Sequence, residues 1–204
     1  MEHDDDDEYK SKLDLQLKPV FYSNFSRLAP FSYMNPFANA LSGLTHVSPS
    51  LPLGVREKLL STTFKAGSFQ AMCFAKALLA GKDRLADKVI AAKKNEKFEV
   101  AKVWRALQAK QCKAAWDVHL IDILETIFMS MVMSDIGYAQ LIKGTAPRYL
   151  AYCSKDLDMG IGCCSVEEAM QDDVEWFGDN MGGHALMSVR HMVASGKDVS
   201  DWTN

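Results

Sequence analysis

No run in this 204-residue sequence is both apolar and long enough to span a bilayer. The most hydrophobic stretch, LIDILETIFMSMVM, is interrupted by Asp122 and Glu125 and falls short of the roughly 20 residues required, so a buried helix and no membrane partner are expected. Cysteine is sparse: the five residues Cys73, Cys112, Cys153, Cys163 and Cys164 form no CxxC pair. Their odd number and spacing argue against a disulfide framework or a zinc ribbon. With no signal-peptide pattern ahead of them, the expected setting is reducing, cytoplasmic or intracellular. A large charge of one sign is lacking too. A net charge of -3 gives no basis for broad electrostatic adhesion to nucleic acid or anionic lipid, although a local basic patch is compatible with it. The motifs GxGxxG, P-loop, HExxH and GxSxG are all missing, which removes the common dinucleotide, nucleotide-triphosphatase, zinc-protease and hydrolase-elbow readings. The five histidines do not cluster at ligand spacing, and His184 and His191, seven residues apart, make a poor chelate better placed in solvent. No metal site and no cofactor are expected.

What the sequence does contain begins with a concentration of acid. MEHDDDDEYK has nothing apolar to bury and carries mutually repelling charges, so residues 1–12 read as a solvated tail. Such carboxylates fix no coordination geometry, which weighs against a metal there and leaves a basic partner as the other option. From Leu13 to Phe37, LDLQLK and VFYSNF punctuated by Pro19, Pro30 and Pro36 read as strands and turns. LSGLTHVSPSLPLG reads as a surface loop.

Helical periods then take over. SFQAMCFAKALLAG is expected to start after a Ser68 N-cap and stop at Gly81, and DRLADKVIAAKK follows with apolar residues three and four apart. FEVAKVWRALQAKQCKAAW and VHLIDILETIFMSMVMSD read as two longer helices. PRYLAYCS reads as a strand feeding the glycine loop DMGIGCCS, VEEAMQD as a short helix, and DNMGGHALMSVRHMV as the last helix. Together these predict an α+β fold: a compact, helix-rich single domain over residues 13–204 with a small β component.

Two glycine-bearing turns hold the chemical interest. In DMGIG, Asp156 and Asp158 precede Gly160 and Gly162, so backbone N–H groups and a carboxylate could face one ligand, or the segment could be a plain tight turn. Asn180 followed by Gly183 either caps a helix with outward-facing N–H donors, the basis of a phosphate site, or caps it for structure alone. The pair Gly182-Gly183 ahead of Ala185-Leu186-Met187 weakens that helix start, so the backbone must come close to something there: another element, or a ligand. Cys163-Cys164 beside Gly162 is either a reactive thiol site or a packed pair; without a basic neighbour, packing is favoured.

In order along the chain, these pieces resemble the NADAR family, also called YbiA-like. FYSNF resembles the family's FLSNF, SFQAMCFAKAL its EHYFQAMKFL, YLAYCSKDLDMGIG its LVEASPYDRFWGIG, and DNMGGHALMSVR its KNLLGKALMEVR. The match runs over residues 20–193. It implies a compact α-rich α+β fold and N-glycosidase chemistry on small ribosyl compounds or ADP-ribosylated guanine. The partners implied are an ADP-ribose-like or ribosyl small molecule, with nucleic acid only as a modified-base substrate. The family motif positions carry over onto Ser23, Asn24, Gln70, Asp156, Gly160, Gly162, Asn180 and Gly183, of which Asp156 is the catalytic candidate and the others ligand-binding candidates.

The departures weigh against retained catalysis. Ala66-Gly67 stands where the family has Glu-His, Cys73 where it has lysine, and Met159 where it has tryptophan. An N-glycosidase needs a carboxylate to activate water or a lysine to capture the opened sugar, and the matched groups are replaced. Lys65 and Lys76 are the nearby amines that would have to substitute from neighbouring turns. The expectation is a NADAR-like protein that has lost the family chemistry and acts as a nucleotide- or ADP-ribose-like ligand binder. Alternatively it is a structural or interaction protein working through a protein partner or as a homo-oligomer, with virion association one setting. The competing reading is an active N-glycosidase built on Asp156.

Overall fold

The structure, a computed structural model, describes residues 19–23, 28, 41–93, 96–109, 112–171 and 173–195. The acidic tail, the LDLQLK segment and Asn24 lie outside the described residues. In chain order come β1 (Val20–Ser23), α1 (Leu53–Leu60), α2 (Ser68–Leu79), α3 (Asp83–Ala91), α4 (Lys97–Ala106), α5 (Lys113–Ser134), α6 (Ile136–Lys143), β2 (Leu150–Cys153), α7 (Val166–Ala169) and α8 (Met181–Ala194). The helix-rich α+β class read from the sequence is the one observed.

The fold is organised by α5. Its sequence is apolar nearly all round, from Leu120 to Val132, and a helix without a polar face has to be covered on every side. Helices α2, α6 and α8 cover it. Among the described residues no helix is long and apolar enough to cross a membrane. One continuous core runs from Tyr22 on β1 through Leu124, Ile127 and Phe128 on α5 to Leu186 and Val189 on α8.

Three boundaries differ from those expected, each for an identifiable reason. Helix α2 takes Ser68 as its first residue; Gly67, at φ +82°, occupies the cap position without any side-chain bond, a conformation that favours glycine. The helix expected over residues 98–116 is broken, with α4 ending at Ala106 and Lys113 to Trp116 joining α5. A straight helix would hold Trp104 and Trp116 about 18 Å apart along its axis. Their ring centroids are 5.8 Å apart, which only a reversal of the chain allows.

The stretch 41–51 is the third. Instead of a surface loop it is a strap with Leu41, Leu44, His46, Ser48 and Leu51 buried. Two of its amides are taken up by hydroxyls of α5: Thr45 N–H donates to Ser130 Oγ at 3.3 Å and Ser48 N–H to Thr126 Oγ1 at 3.0 Å. Two polar residues one turn apart on an apolar helix thus offer acceptors to an irregular segment packed against it.

Strands β1 and β2 pair in parallel, Val20 opposite Leu150 and Ser23 opposite Cys153, and the described residues between them include the helices α1 to α6. All four residues of β2 are buried. Tyr152 stacks on Tyr22 at 5.0 Å on the main-core side, while Ala151 and Cys153 enter a smaller cluster with Ile161, Cys163 and Ala169. A strand covered on both faces explains why LAYC is apolar without alternation.

Candidate functional site

The three sequence segments singled out above meet at β2. Ser23 ends β1 opposite Cys153, the loop 154–162 leaves the end of β2, and the first turn of α8 packs on the strand. Asn180, in the left-handed region at φ 51°, is buried. Its Oδ1 accepts from Tyr152 N–H at 2.9 Å, and its Nδ2 donates to Leu150 O and to Tyr149 Oη, each at 2.9 Å. The side-chain amide thus supplies the donor and acceptor that a third strand would give the open edge of β2. It makes no cap bond to α8, so the capping geometry expected for Asn180 is replaced by a strand-completing one.

The glycine pair has a steric cause. A Cβ on Gly183 would fall onto Leu150 O and the Asn180 amide, and one on Gly182 would lie 3.0 Å from Met159 O and 3.1 Å from the Tyr152 ring. The close approach is to another element. The glycine loop is engaged in the same way: Gly160 N–H donates to Asp156 O at 2.8 Å, Ile161 N–H to Tyr152 O at 2.9 Å, and Gly162 N–H to Ser154 O at 3.1 Å. A Cβ on Gly160 would sit 2.6 Å from that of Ser154. Asp156 is exposed and its Oδ1 accepts from Met159 N–H at 3.1 Å, closing the turn. Met159 is buried in the main core.

Gln70 stands apart from that junction, on α2. It is fully buried, with Oε1 accepting from Ala66 N–H at 2.7 Å and Nε2 donating to Val89 O at 2.7 Å and Ala92 O at 3.1 Å. One side chain thus satisfies Ala66 N–H and Ala92 O and gives Val89 O a second donor beside Ala92 N–H, tying the start of α2 to the end of α3.

One turn along α2 from Cys73 lies a group with unfinished chemistry. Cys73 is fully buried and burial pushes its thiol pKa far up, so it is no thiolate at neutral pH. Lys76 shares its helix face at the i, i+3 spacing and is only 4% exposed. Its Nζ sits 4.3 Å from the centroid of the Trp104 ring and 4.8 Å from that of Trp116, and the rings meet edge to face at 80°. Among the described residues no acceptor is hydrogen-bonded to this ammonium. Burial lowers its pKa, the charge of Asp156 opposes that, and Lys113 adds to it. At the mouth, Lys113 bridges Asp117 at 3.0 Å and Asp158 at 2.5 Å.

This corner can do two things chemically. Its ammonium can draw in an anionic group, and its amine, held more easily neutral than an exposed lysine, can act as a nucleophile or base. Sequence reading named Lys76 but not Trp104, Trp116 or Lys113 as its surroundings. The available signal was that Lys76 is the only charged residue between Ser68 and Ala80.

The remaining candidates are quieter. Cys153 is buried, with its thiol pushed up to about 12 by burial first and Cys163 next; Cys163 is buried and Cys164 exposed. His184 and His191 are exposed. Among the described residues no group of three or more His, Cys, Asp or Glu is placed to hold a metal ion. No family model matches the chain, and no curated protein matches it.

Proposed function

We propose that this chain is a NADAR-like protein in which the family N-glycosidase chemistry has been replaced, and that it binds a nucleotide- or ADP-ribose-like ligand. The observation that carries this reading is the way the motif residues are spent. Gln70, Asn180 and the glycine-loop amides are bonded to backbone, Cys73 is an inert buried thiol, and the surviving carboxylate Asp156 closes its own turn. A ligand would meet the Lys76 ammonium and the charged mouth of Lys113, Asp156 and Asp158. Pyrophosphate oxygens suit the cations, and ribose hydroxyls suit the carboxylates. Thermal unfolding with ADP-ribose tests it: a rise in midpoint with ligand concentration, lost in Lys76→Met and without turnover of ADP-ribosylated guanosine, is the expected outcome. No ligand response together with a stable oligomer would place the protein in a structural role instead, in a virion or another complex.

A second reading is favoured by one observation, the position of Lys76 a single turn from the family's lysine position with its pKa lowered. An active N-glycosidase would then use Lys76 on the sugar carbon, with Asp156 as general acid or base. Cyanoborohydride trapping with ADP-ribose decides between them. An adduct mapped to Lys76, with turnover that Asp156→Ala abolishes, would establish the enzyme and end the first reading.

A further inference from the structure

Helix α4 carries a second feature unconnected with the Lys76 corner. Its inner face packs with Val100, Val103 and Leu107 buried. On the face turned away, Phe98, Lys102 and Arg105 follow at i, i+4 and i+7, one stripe of the helix. Phe98 is 61% exposed, with Lys102 Nζ 4.9 Å and the Arg105 guanidinium carbon 5.9 Å from its ring centroid. Among the described residues the one ion pair of Lys102 is an exposed one with Glu99 at 2.8 Å, an interaction that water screens strongly. Arg105 has no ion pair among the described residues. The surrounding sequence is as lopsided: residues 93–113 hold seven Lys or Arg against two Glu, a net +5, in a chain of net -3.

The compensating charge is at the other end of the sequence. Residues 2–8 contain six Asp or Glu and no Lys or Arg, followed directly by Tyr9. Glu8 lies eleven positions before Pro19, the first described residue, and an extended chain over that span reaches about 36–40 Å. A folded chain of this size has a radius of gyration of about 16 Å, so the acidic run can reach most of the surface of its own molecule. Being tethered, it also competes at an effective concentration that a free anion seldom has.

We propose that residues 2–8 dock within the same molecule on the cationic stripe of α4, carboxylates on Lys102 and Arg105 and Tyr9 beside Phe98. Oriented carboxylates on a guanidinium, flanking an aromatic contact, are the arrangement that both partners lack alone. The occupied stripe is thereby withheld from other anions, nucleic acid among them.

Zero-length carbodiimide coupling of the dilute full-length chain, followed by peptide mapping, tests this. The expected product is a monomer with residues 2–8 joined to Lys102. Its yield should fall about fivefold or more in Arg105→Glu, and also when salt is raised from about 0.02 M to about 0.5 M, where the screening length drops to ~4 Å. In parallel, the variant D4N/D5N/D6N/D7N should shift the amide resonances of α4 and leave those of α6 and α8 in place. Coupling to lysines elsewhere, coupling confined to dimers, or α4 resonances indifferent to the tail charges would each overturn the proposal. So would an α4 that ignores the tail charges yet responds to a single-stranded oligo-dT, because the stripe would then belong to nucleic acid.

Discussion

The β2–α8 junction and the Lys76 corner are both buried and both polar, yet they are opposite in kind. At the junction Asn180 completes the edge of β2, and the amides of Gly160, Ile161 and Gly162 are bonded to backbone carbonyls; the exception is the buried Tyr22 hydroxyl beside Gly182, which has no hydrogen-bond partner among the described residues. Breaking any of those bonds leaves a donor or acceptor unpaired. In the corner a full charge is buried against two tryptophan faces with no acceptor bonded to it, an arrangement that costs folding free energy. The contrast teaches that motif-like glycine turns can be architecture, while reactive potential sits where the fold tolerates an unfinished interaction.

The sharpest test of that contrast is steric. Gly183→Ala is expected to destabilise by about 3 kcal/mol or more, because backbone and the Asn180 amide must both move to admit the methyl. Gly81→Ala is the control. Its φ of +64° disfavours a side chain but nothing lies within 4 Å, so about 1–2 kcal/mol is expected from conformation alone. Urea midpoints with unchanged slopes measure both. A Gly183→Ala cost no larger than that of Gly81→Ala would mean the first turn of α8 is not pinned on β2.

Removing the amide of Asn180 comes next in size. Asn180→Ala leaves Tyr152 N–H and Leu150 O without their side-chain partner, for an expected loss of about 2–3 kcal/mol. Amide exchange at Tyr152 should quicken by the corresponding factor, and a slow Tyr152 amide in the variant would show that β2 has another edge partner.

These two positions also define what was legible in advance. The helices at SFQAMCFAKALL, DRLADKVIA and MGGHALMSVRHMV, the strand at LAYC and the α+β class followed from apolar period and length, whereas α1 and α6 were not read in advance. So did the demand of Gly182-Gly183 for a close neighbour, since a missing Cβ is a local property. The identity of the neighbour was not local. Leu150 O and the Asn180 amide come from other segments, so element and ligand stayed equal options until the strand was placed. The strap 41–51 was misread because its burial depends on Thr126 and Ser130, 75 to 90 residues away, offering hydroxyls. The break after Ala106 depends likewise on where Trp104 and Trp116 must meet. For the site, Lys76 could be noticed as a charge in an apolar helix, but the tryptophan corner that gives it chemistry could not.

The corner answers differently to truncation. Lys76→Met keeps an unbranched stem one atom shorter and removes a buried charge that has no bonded acceptor among the described residues, so stability should be unchanged or rise by about 1 kcal/mol. A loss of 2 kcal/mol or more in urea unfolding would mean that the ammonium has a strong partner, and would bring the corner into line with the junction.

The smallest effect is the dependence of that difference on pH, and it has a definite sign. In the unfolded chain Lys76 titrates near 10.5, and in the native state its pKa is lowered, by burial above all. Below the native value both states hold the proton and the folded protein bears the whole desolvation cost. Between the native value and 10.5 the unfolded chain binds more protons, so this group's contribution improves with rising pH, by at most about 1.4 kcal/mol per pH unit. The wild-type curve alone would hide this. Cys73, Tyr22 and Tyr138 have pKa values raised by burial from 9.0, 10.0 and 10.0. They stay protonated in the native state where the unfolded chain ionises, which lowers stability over the same range. Subtracting the curve of Lys76→Met cancels those groups and leaves the lysine. The wild type should therefore gain on the variant as pH rises from 7 toward 10. A flat difference would show that Lys76 keeps its ordinary pKa, and with it an exposed lysine's weak nucleophilicity.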